Sequence, residues 1–466
     1  MKRDNIWKKL EDKKEEIFDF GEQYRAYISK CKTERENVKE AISRAKAKGF
    51  RDLQEIIDND ETLKAGDKVY AQLMNKTIAL FVLGKEPMEK GMNIAGAHID
   101  SPRLDLKPNP LYEDTDIAMF ETHYYGGIKK YQWVALPLAL HGVVCKKDGE
   151  CVEITIGEDP GDPVLGVSDL LIHLAQKQIQ KNGSEVVEGE ALNAMIGTIP
   201  LDFEDDGKDD DKSEPVKKAV LKILSDKYGI CERDFLSAEL TLVTAGPARD
   251  YGLDRSMIMG YGQDDKVCAF PALAAILEVE DPKRTCACLF TDKEEIGSVG
   301  ATGSHSRFFE NTVAGIIDRM GDYSDLKLRR ALMNSYMLSA DVTAAYDPNY
   351  PEVMEKNNSG YQGQGLQFNK YTGSRGKSGS NDASAEYIAG LRKVMDDAGV
   401  YYQISELGRV DAGGGGTIAY IMANYGMNVI DCGVPVFNMH APWEITSKLD
   451  IYETFKGYQA FFEGME

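Results

Sequence analysis

Six side chains of the kinds that bind divalent metal ions follow short apolar runs in this sequence. They are His98 and Asp100 in AGAHID, Glu294 and Glu295 in CLFTDKEE, Asp341 in MLSAD, and His440 in VFNMH. Each apolar run has the length and composition of a buried strand. Because the binding sites of open α/β sheets form beyond the carboxyl ends of their strands, we expect these side chains to converge at one edge of one sheet.

The donor atoms in this set favour particular metals. Imidazole and carboxylate ligands without clustered cysteines suit Zn²⁺, Mn²⁺ or Co²⁺. Two such ions about 4 Å apart repel each other, so a bridging carboxylate and further acids are needed to neutralise their charge. Asp264 and Asp265 in GYGQDDK add to this supply of acids, although an acidic pair at the start of a helix is more often a cap.

The adjacent acids Glu294 and Glu295 follow a predicted strand. Consecutive side chains of an extended segment point to opposite sides, so one carboxylate could bind a metal while the other accepts a proton from water. Taken alone, such a pair is more typical of a solvated surface. Asp100, two residues after His98, is placed to orient the imidazole or to anchor the metal ligands.

The composition excludes several classes of partner. The chain has 466 residues, which favours two domains, and its formal net charge is −21. Nucleic acids and anionic membrane surfaces are polyanions, so neither is expected to bind. No apolar stretch is long enough to span a membrane, and the charged N-terminal segment lacks the apolar core of a signal peptide. The acidic run 202–215 is expected to be a surface loop.

The cysteines point to a reducing compartment. Eight are scattered along the chain without the paired spacing of a disulfide framework, and no CxxC motif occurs. Cys286 and Cys288 lie on one face of a predicted strand, where buried thiols are expected. The cytoplasm is therefore the predicted location.

Alternating strand and helix patterns predict an α/β protein with a mostly parallel central sheet. Residues 1–106 and 248–466 are expected to form this domain, and residues 107–247 are expected to form a β-rich insert. Two finer predictions concern single segments. The pattern of residues 167–181 predicts an amphipathic helix, and the apolar run 313–318 predicts a strand.

Six motifs together resemble the M18 metallo-aminopeptidases, the aspartyl aminopeptidase family, and are most similar to its bacterial members. In chain order they are AHIDSPRLDLKP, GQDDK, TDKEEIGSVGATGS, SADVTAAYDPNY, RVDAGGGGTIA and NMHAPWEITSKLDIYETF. The resemblance implies a phosphorylase/hydrolase-like α/β peptidase domain with a β-rich insert used in oligomer formation. Members of the family assemble as tetrahedral dodecamers that enclose their active sites.

The resemblance also implies a set of metal ligands. His98 and Asp341 would bind one metal ion. Glu295 and His440 would bind a second, and Asp264 would bridge the two. The implied metals are two divalent ions for each subunit, usually Zn²⁺ and sometimes Co²⁺ or Mn²⁺.

Within the same resemblance, Glu294 would be the general base and Asp100 the partner of His98. The implied reaction is removal of the N-terminal residue from peptides. Ala344 and Asp347 occupy positions where the eukaryotic branch has histidines, so an acidic preference and a broader or apolar preference both remain open. The nearest alternative is a related two-metal hydrolase acting on N-acyl amino acids or other amides.

His173 resembles a family histidine that reaches the active site of a neighbouring subunit, where it could stabilise the tetrahedral intermediate. The alternative is a histidine on the face of a helix. Arg375 and Lys377, in YTGSRGKSGSND, are candidates for binding an acidic substrate side chain or the oxyanion. A basic loop on an acidic protein could equally form ion pairs between subunits.

The most glycine-rich segment, DAGGGGT, resembles a family loop that lines the substrate pocket. Its candidate substrate-binding residues are Gly414, Gly415 and Thr417. The alternative is a flexible turn before a helix, and the segment lacks the GKS/T ending of a phosphate loop.

Overall fold

The computed structural model describes residues 5–201, 213–321 and 323–466. Most of the acidic run 202–215, predicted to be a surface loop, lies outside the described residues. The chain divides into two compact units. The first comprises Met1–Asp100, Ala248–Met439 and Glu444–Glu466, and the second comprises Ser101–Pro247 and His440–Trp443.

The described residues form helices and strands with the following bounds. The helices are α1 (Ile6–Lys9), α2 (Lys14–Lys30), α3 (Glu34–Ala47), α4 (Leu53–Asp58), α5 (Pro215–Tyr228), α6 (Gln263–Glu278), α7 (Phe308–Arg319), α8 (Asp325–Met333), α9 (Ala385–Ala398), α10 (Ala419–Ala423) and α11 (Lys448–Gly464). The strands are β1 (Arg51–Asp52), β2 (Lys68–Leu73), β3 (Thr77–Val82), β4 (Met92–His98), β5 (Arg103–Asp114), β6 (Ile117–Tyr125), β7 (Leu138–Cys145), β8 (Cys151–Ile156), β9 (Gly166–Val167), β10 (Ala194–Gly197), β11 (Ala238–Thr244), β12 (Arg249–Tyr251), β13 (Met257–Gly260), β14 (Thr285–Thr291), β15 (Tyr336–Ser339), β16 (Thr343–Ala344), β17 (Leu366–Asn369), β18 (Tyr402–Ser405), β19 (Asn428–Gly433), β20 (Pro435–Phe437) and β21 (Glu444–Ser447).

The first unit is built on a nine-stranded sheet with the order β1-β2-β3-β14-β4-β15-β19-β17-β18. Its centre is parallel, because β14 pairs with β4, β4 with β15, and β15 with β19 in the same direction. The prediction of an α/β fold with a mostly parallel central sheet is confirmed. Strands β4 and β14 are buried along their whole length, as expected for parallel strands covered on both faces.

Two apolar cores cover the faces of this sheet. Leu338 faces one core, to which α6 and α11 contribute, and its neighbour Met337 faces the other, to which α7 and α8 contribute. The register places His98, the last residue of β4, directly opposite Thr291, the last residue of β14. The two strands therefore end level with each other, and the segments that follow them begin at the same edge of the sheet.

Two predictions about single segments in the first unit are wrong. Residues 313–318 lie in α7, because a short apolar run cannot be assigned to strand or helix from periodicity alone. The strand before His440, β20, belongs to a separate five-stranded sheet with the order β12-β13-β21-β20-β16. The sequence had suggested that His440 follows a strand of the central sheet, and this prediction is therefore wrong.

The second unit contains a seven-stranded sheet with the order β8-β7-β11-β5-β6-β10-β9. A disulfide joins Cys145 of β7 to Cys151 of β8, although the spacing of the cysteines along the chain did not indicate a disulfide framework. The two cysteines are direct partners in the antiparallel register, which their spacing along the chain does not reveal. The other six cysteines are free thiols.

The predicted amphipathic helix at 167–181 is also wrong. The structure forms a short strand at its start and then consecutive turns. The apolar side chains Leu171, Ile172 and Leu174 are all more than half exposed. Because most helices are stabilised by packing of their apolar face, the sequence pattern alone does not produce a helix here.

Among the described residues, no helix is both long and apolar enough to cross a membrane.

Candidate metal centre

His98 is buried at the end of β4, with both ring nitrogens close to oxygen atoms. Its Nδ1 lies 3.1 Å from the backbone carbonyl of Asp100 and 3.3 Å from that residue's Oδ1. Its Nε2 lies 3.0 Å from Oδ1 of Asp264. A carbonyl only accepts hydrogen bonds, so Nδ1 carries a proton and Nε2 is the nitrogen that can bind a metal.

Asp264 is held in place by Glu444. The backbone N–H of Asp264 donates to the Glu444 carboxylate at 3.1 Å, and the Gln263 side-chain amide donates to the Glu444 carbonyl at 2.6 Å. Sequence reasoning did not assign a role to Glu444. Its position in the motif NMHAPWEITSKLD was the only available signal, because Glu444 begins a strand rather than following one.

The structure brings three of the predicted ligands together. His98, Asp264 and Asp341 are buried and each offers a ligand atom, and these atoms all lie within 4.8 Å of one another. Asp341 reaches this position because it follows β15, which lies beside β4 in the sheet. His98 and Asp341 therefore meet because His98 ends β4, Asp341 follows β15, and these neighbouring parallel strands end at the same edge of the sheet.

The electrostatics of this cluster favour a cation. Burial lowers the pKa of His98, but hydrogen bonds to Asp100 and Asp264 and their negative charges raise it well above its ordinary value. Burial, and then the charges of Asp264 and Asp265, raise the pKa of Asp341 well above its usual range. Burial thus acts in opposite directions on the two pKa values, whereas the charges of the neighbouring carboxylates raise both.

These residues fit a bound zinc ion. The His98 Nε2 faces a carboxylate oxygen, so a proton or a cation is required between them. The opposite nitrogen faces Asp100, which matches the carboxylate–histidine–metal arrangement of zinc proteins. Imidazole and carboxylate donors are also the ligands that zinc prefers in hydrolases.

Glu294 and Glu295 were predicted to lie at a strand end, but they lie in a single 3₁₀ turn, Glu294–Ile296. Lys293, which precedes the turn, has the left-handed φ of 69°. The alternation of an extended segment therefore does not separate the two carboxylates. The chain direction changes at Lys293, a property of the backbone that the strand pattern could not show.

Asp100 joins this turn to the end of β4. Its Oδ1 accepts the backbone N–H of Glu294 at 3.1 Å, and its Oδ2 accepts that of Glu295 at 3.2 Å. Its side chain is fully buried, and Oδ1 also faces Nδ1 of His98. Asp100 was predicted to orient His98, but the contact with the glutamate backbone could not be anticipated.

Two predicted residues belong to the second unit. His440 groups with that unit, where its Nδ1 donates to the carbonyl of Gly127 at 2.8 Å, which leaves Nε2 as the nitrogen with a lone pair. His173 is exposed among the turns of residues 172–180. Their roles as a metal ligand and as a residue acting on a neighbouring subunit remain predictions.

The predicted substrate-binding residues of the first unit lie on two loops that contact each other. The Gly373 N–H donates to the carbonyl of Gly415 at 2.8 Å. Gly414 has a φ of 132°, and an added Cβ would lie 2.0 Å from the carbonyl oxygen of Gly373. Only glycine allows this close approach. Thr417, two residues further on, is half-buried at the end of the same segment.

Arg375 and Lys377 both line a small cleft beside the glycine-rich loop. The Lys377 ammonium lies 2.9 Å from Oδ2 of Asp382 and 3.7 Å from the centre of the Tyr371 ring. The charge of Lys377 thus already has partners within its own loop. Whether either cation binds substrate remains a prediction.

The mostly parallel α/β sheet and the buried imidazole–carboxylate cluster at its edge define the class of metal-dependent hydrolases. Residues 27–462 match the family model described as "Aminopeptidase I zinc metalloprotease (M18)". A probable M18 family aminopeptidase 1 of Clostridium acetobutylicum is 61% identical over 458 residues, which cover 98% of this chain and 97% of the relative. The chain belongs to the M18 aminopeptidase family and is a metal-dependent aminopeptidase.

Solved structures agree with this assignment. The crystal structure of an M18 family aminopeptidase from Thermotoga maritima is 45% identical, covers 100% of both chains and has a TM-score of 0.93. The S. cerevisiae mApe1 dodecamer is 20% identical, covers 95% of this chain and has a TM-score of 0.76. At this lower identity, the likeness concerns the fold alone.

The substitution Asp100→Asn tests the link between β4 and the glutamate turn. The amide NH₂ that replaces one oxygen cannot accept, so one buried backbone N–H loses its acceptor. We expect the free energy of unfolding to fall by about 1–3 kcal/mol in urea denaturation of the metal-free protein. The control Asp397→Asn removes an exposed partner of Lys393 and should change stability by less than about 0.5 kcal/mol. Equal stability of the two variants would contradict the proposed link.

Proposed function

We propose that this aminopeptidase removes N-terminal residues from peptides with two divalent metal ions, which are Zn²⁺ or, as substitutes, Co²⁺ or Mn²⁺. The proposed ligands are His98, Asp264 and Asp341 for one ion, and Asp264, Glu295 and His440 for the other. The observation that supports this most strongly is the buried group of His98, Asp264 and Asp341, whose ligand atoms lie within 4.8 Å of one another.

The bound metals would supply a Lewis acid that polarises the scissile carbonyl and makes water more acidic. The chain's own residues perform the proton transfers. Glu294, whose side chain is 18% exposed, accepts a proton from the attacking water and then donates it to the leaving amine. Asp100 holds the Glu294 backbone, so that the carboxylate remains at a fixed distance from the ligand cluster.

The proposed substrates have a free α-amine and a first side chain that need not be acidic. Lys377 is already paired with Asp382, and Ala344 and Asp347 stand where the eukaryotic branch has histidines. Both features weaken the positive field that an acidic side chain would need. Arg375 is the remaining candidate cation, and Gly414, Gly415 and Thr417 are proposed to line the pocket.

We also propose that the second unit mediates assembly into a tetrahedral dodecamer, with His173 reaching a neighbouring subunit. His173 is flanked by Ile172, which is 65% exposed, and Leu174, which is 69% exposed. Exposed apolar side chains that are contiguous along the chain are typical of protein–protein contacts. A cytoplasmic location is proposed because six of the eight cysteines are free thiols, whereas the single Cys145–Cys151 disulfide is the feature more typical of an oxidising compartment.

The substitution Glu294→Gln tests the proposed base. Glutamine has nearly the same shape but cannot accept a proton, so kcat should fall by about 10²–10⁴-fold. Zinc content and thermal stability should remain at the wild-type level. The control Glu278→Gln changes an exposed glutamate paired with Lys48 and should retain full activity. A Glu294→Gln variant with near-wild-type kcat would exclude this residue as the base.

A substrate panel tests the reaction itself. Aminoacyl-nitroanilides with acidic and apolar residues are compared with their N-acetylated forms on the zinc-loaded protein. We expect hydrolysis only where the α-amine is free, and rates for leucine or methionine at least equal to those for aspartate. Turnover restricted to the acetylated compounds would instead identify a hydrolase of N-acyl amino acids. Faster turnover of aspartate and glutamate would contradict the expected order of rates, and turnover of these two residues alone would contradict the proposed substrate range.

The substitution Ile172→Glu tests the assembly. A charge placed in an apolar contact between subunits should convert the twelve-subunit particle into smaller species, as measured by native mass spectrometry. The control Leu326→Glu alters a side chain of α8 that is 55% exposed and should leave the particle intact. A wild-type protein that is a monomer at micromolar concentration would contradict both the dodecamer and the role of His173.

A further inference from the structure

We propose that Asp292, Thr302 and Thr77 form a positioning clasp that fixes the turn carrying Glu294 and Glu295. We define the clasp by these three residues and the hydrogen bonds between them. Its catalytic importance rests on the proposed function, because that function assigns the base to Glu294 and a metal ligand to Glu295. Its structural importance does not depend on that assignment.

Two hydrogen bonds close the loop between Asp292 and Thr302, and each of the two residues donates one of them. The Asp292 N–H donates to the Thr302 carbonyl at 3.1 Å, and the Thr302 hydroxyl donates to Oδ2 of Asp292 at 2.7 Å. Both side chains are 2% exposed. Because water does not reach these groups, the two hydrogen bonds cannot be exchanged for bonds to solvent without exposing the base of the loop.

Thr77 fastens the closed loop to the central sheet. Its hydroxyl donates to the same Thr302 carbonyl at 2.6 Å, and its side chain is buried at the start of β3. Strand β3 pairs with β14, which ends one residue before Asp292. Thr302 therefore makes three hydrogen bonds, two of them within the loop and one to the sheet.

The loop inside the clasp needs such external support. Lys293 and Ser298 have left-handed φ values of 69° and 60°, which side chains other than glycine rarely adopt. An added Cβ on Gly303 would lie 2.2 Å from the Ser298 carbonyl oxygen, so the loop also folds tightly on itself. Residues in such conformations persist only where surrounding contacts determine them.

Asp100 and the clasp hold the glutamate turn from two sides. Asp100 accepts the backbone N–H groups of Glu294 and Glu295, whereas the clasp holds Asp292, two residues before Glu294. A displacement of about 1 Å at a catalytic group can reduce the rate about 10²-fold. Loosening the clasp should therefore reduce kcat more than it changes KM.

The clasp is tested with Thr302→Val, which removes the hydroxyl at nearly constant shape, and with Thr302→Ser, which retains it. On the zinc-loaded full chain we expect kcat to fall about 10–100-fold for Thr302→Val, with KM within about twofold of wild type. Thr302→Ser should lie within about threefold of wild type in kcat. The matched control is Thr454→Val, since Thr454 is also fully buried and its hydroxyl has no hydrogen-bond partner among the described residues.

Hydrogen exchange gives a readout that does not depend on activity. Peptides covering residues 292–302 should exchange faster in Thr302→Val than in wild type or Thr302→Ser, while peptides of the central strands remain unchanged. If Thr302→Val does not fold, Thr77→Val is used in its place. This substitution removes only the hydrogen bond from the Thr77 hydroxyl, so the Thr302 carbonyl still accepts the Asp292 N–H. Its expected effect is a smaller fall in kcat, about 3–10-fold, with the same local increase in exchange.

Unchanged exchange and kcat in the folded variant would overturn the clasp. An equal loss of kcat in Thr454→Val would overturn it as well, because the effect would then be that of any buried threonine. If the wild-type protein hydrolyses no aminoacyl substrate, the proposed function fails instead. The exchange measurement still decides whether the clasp holds the loop.

Discussion

The carboxylate of Asp100 is the interaction on which the candidate site depends. It lies between Nδ1 of His98 and the backbone N–H groups of Glu294 and Glu295, and it is fully buried. A buried carboxylate is costly unless donors surround it, and here the donors come from two separate segments of the chain. The cost of burying Asp100 is thus offset only when β4 and the glutamate turn are both in place.

The central sheet makes this arrangement accurate. His98 and Thr291 are opposite each other at the ends of parallel strands, so the distance from the imidazole to the following turn is set by the register. Asp341 enters the same cluster from β15 on the other side of β4. Rigid strands therefore determine where the segments begin, and the short loops determine where the carboxylates point. Asp264 is fixed separately, by the carboxylate of Glu444.

Strand ends were the part of the site that the sequence could predict. His98 and Asp341 each follow an apolar run, and the α/β pattern implies that such ends meet. The glutamate turn could not be predicted, because the left-handed conformation of Lys293 has no signal in a non-glycine residue. The five-stranded sheet containing β20 was missed because strand pairing between distant segments leaves no local pattern. The disulfide between Cys145 and Cys151 was missed as well, because it depends on the register of β7 and β8 rather than on a local sequence pattern.

The segment around His173 shows a different limit of sequence reasoning. The apolar residues of this segment have helical spacing, yet the segment forms turns and those side chains are exposed in the single chain. An amphipathic pattern indicates an apolar surface that packs against something, but it does not indicate whether the partner is the same chain or another molecule.

The most direct test of the two-metal proposal is anomalous diffraction at the zinc edge from crystals of the zinc-loaded protein. Two peaks about 4 Å apart are expected. One should contact His98, Asp264 and Asp341, and the other should contact Asp264, Glu295 and His440. A single peak, or peaks on other side chains, would contradict the proposed centre.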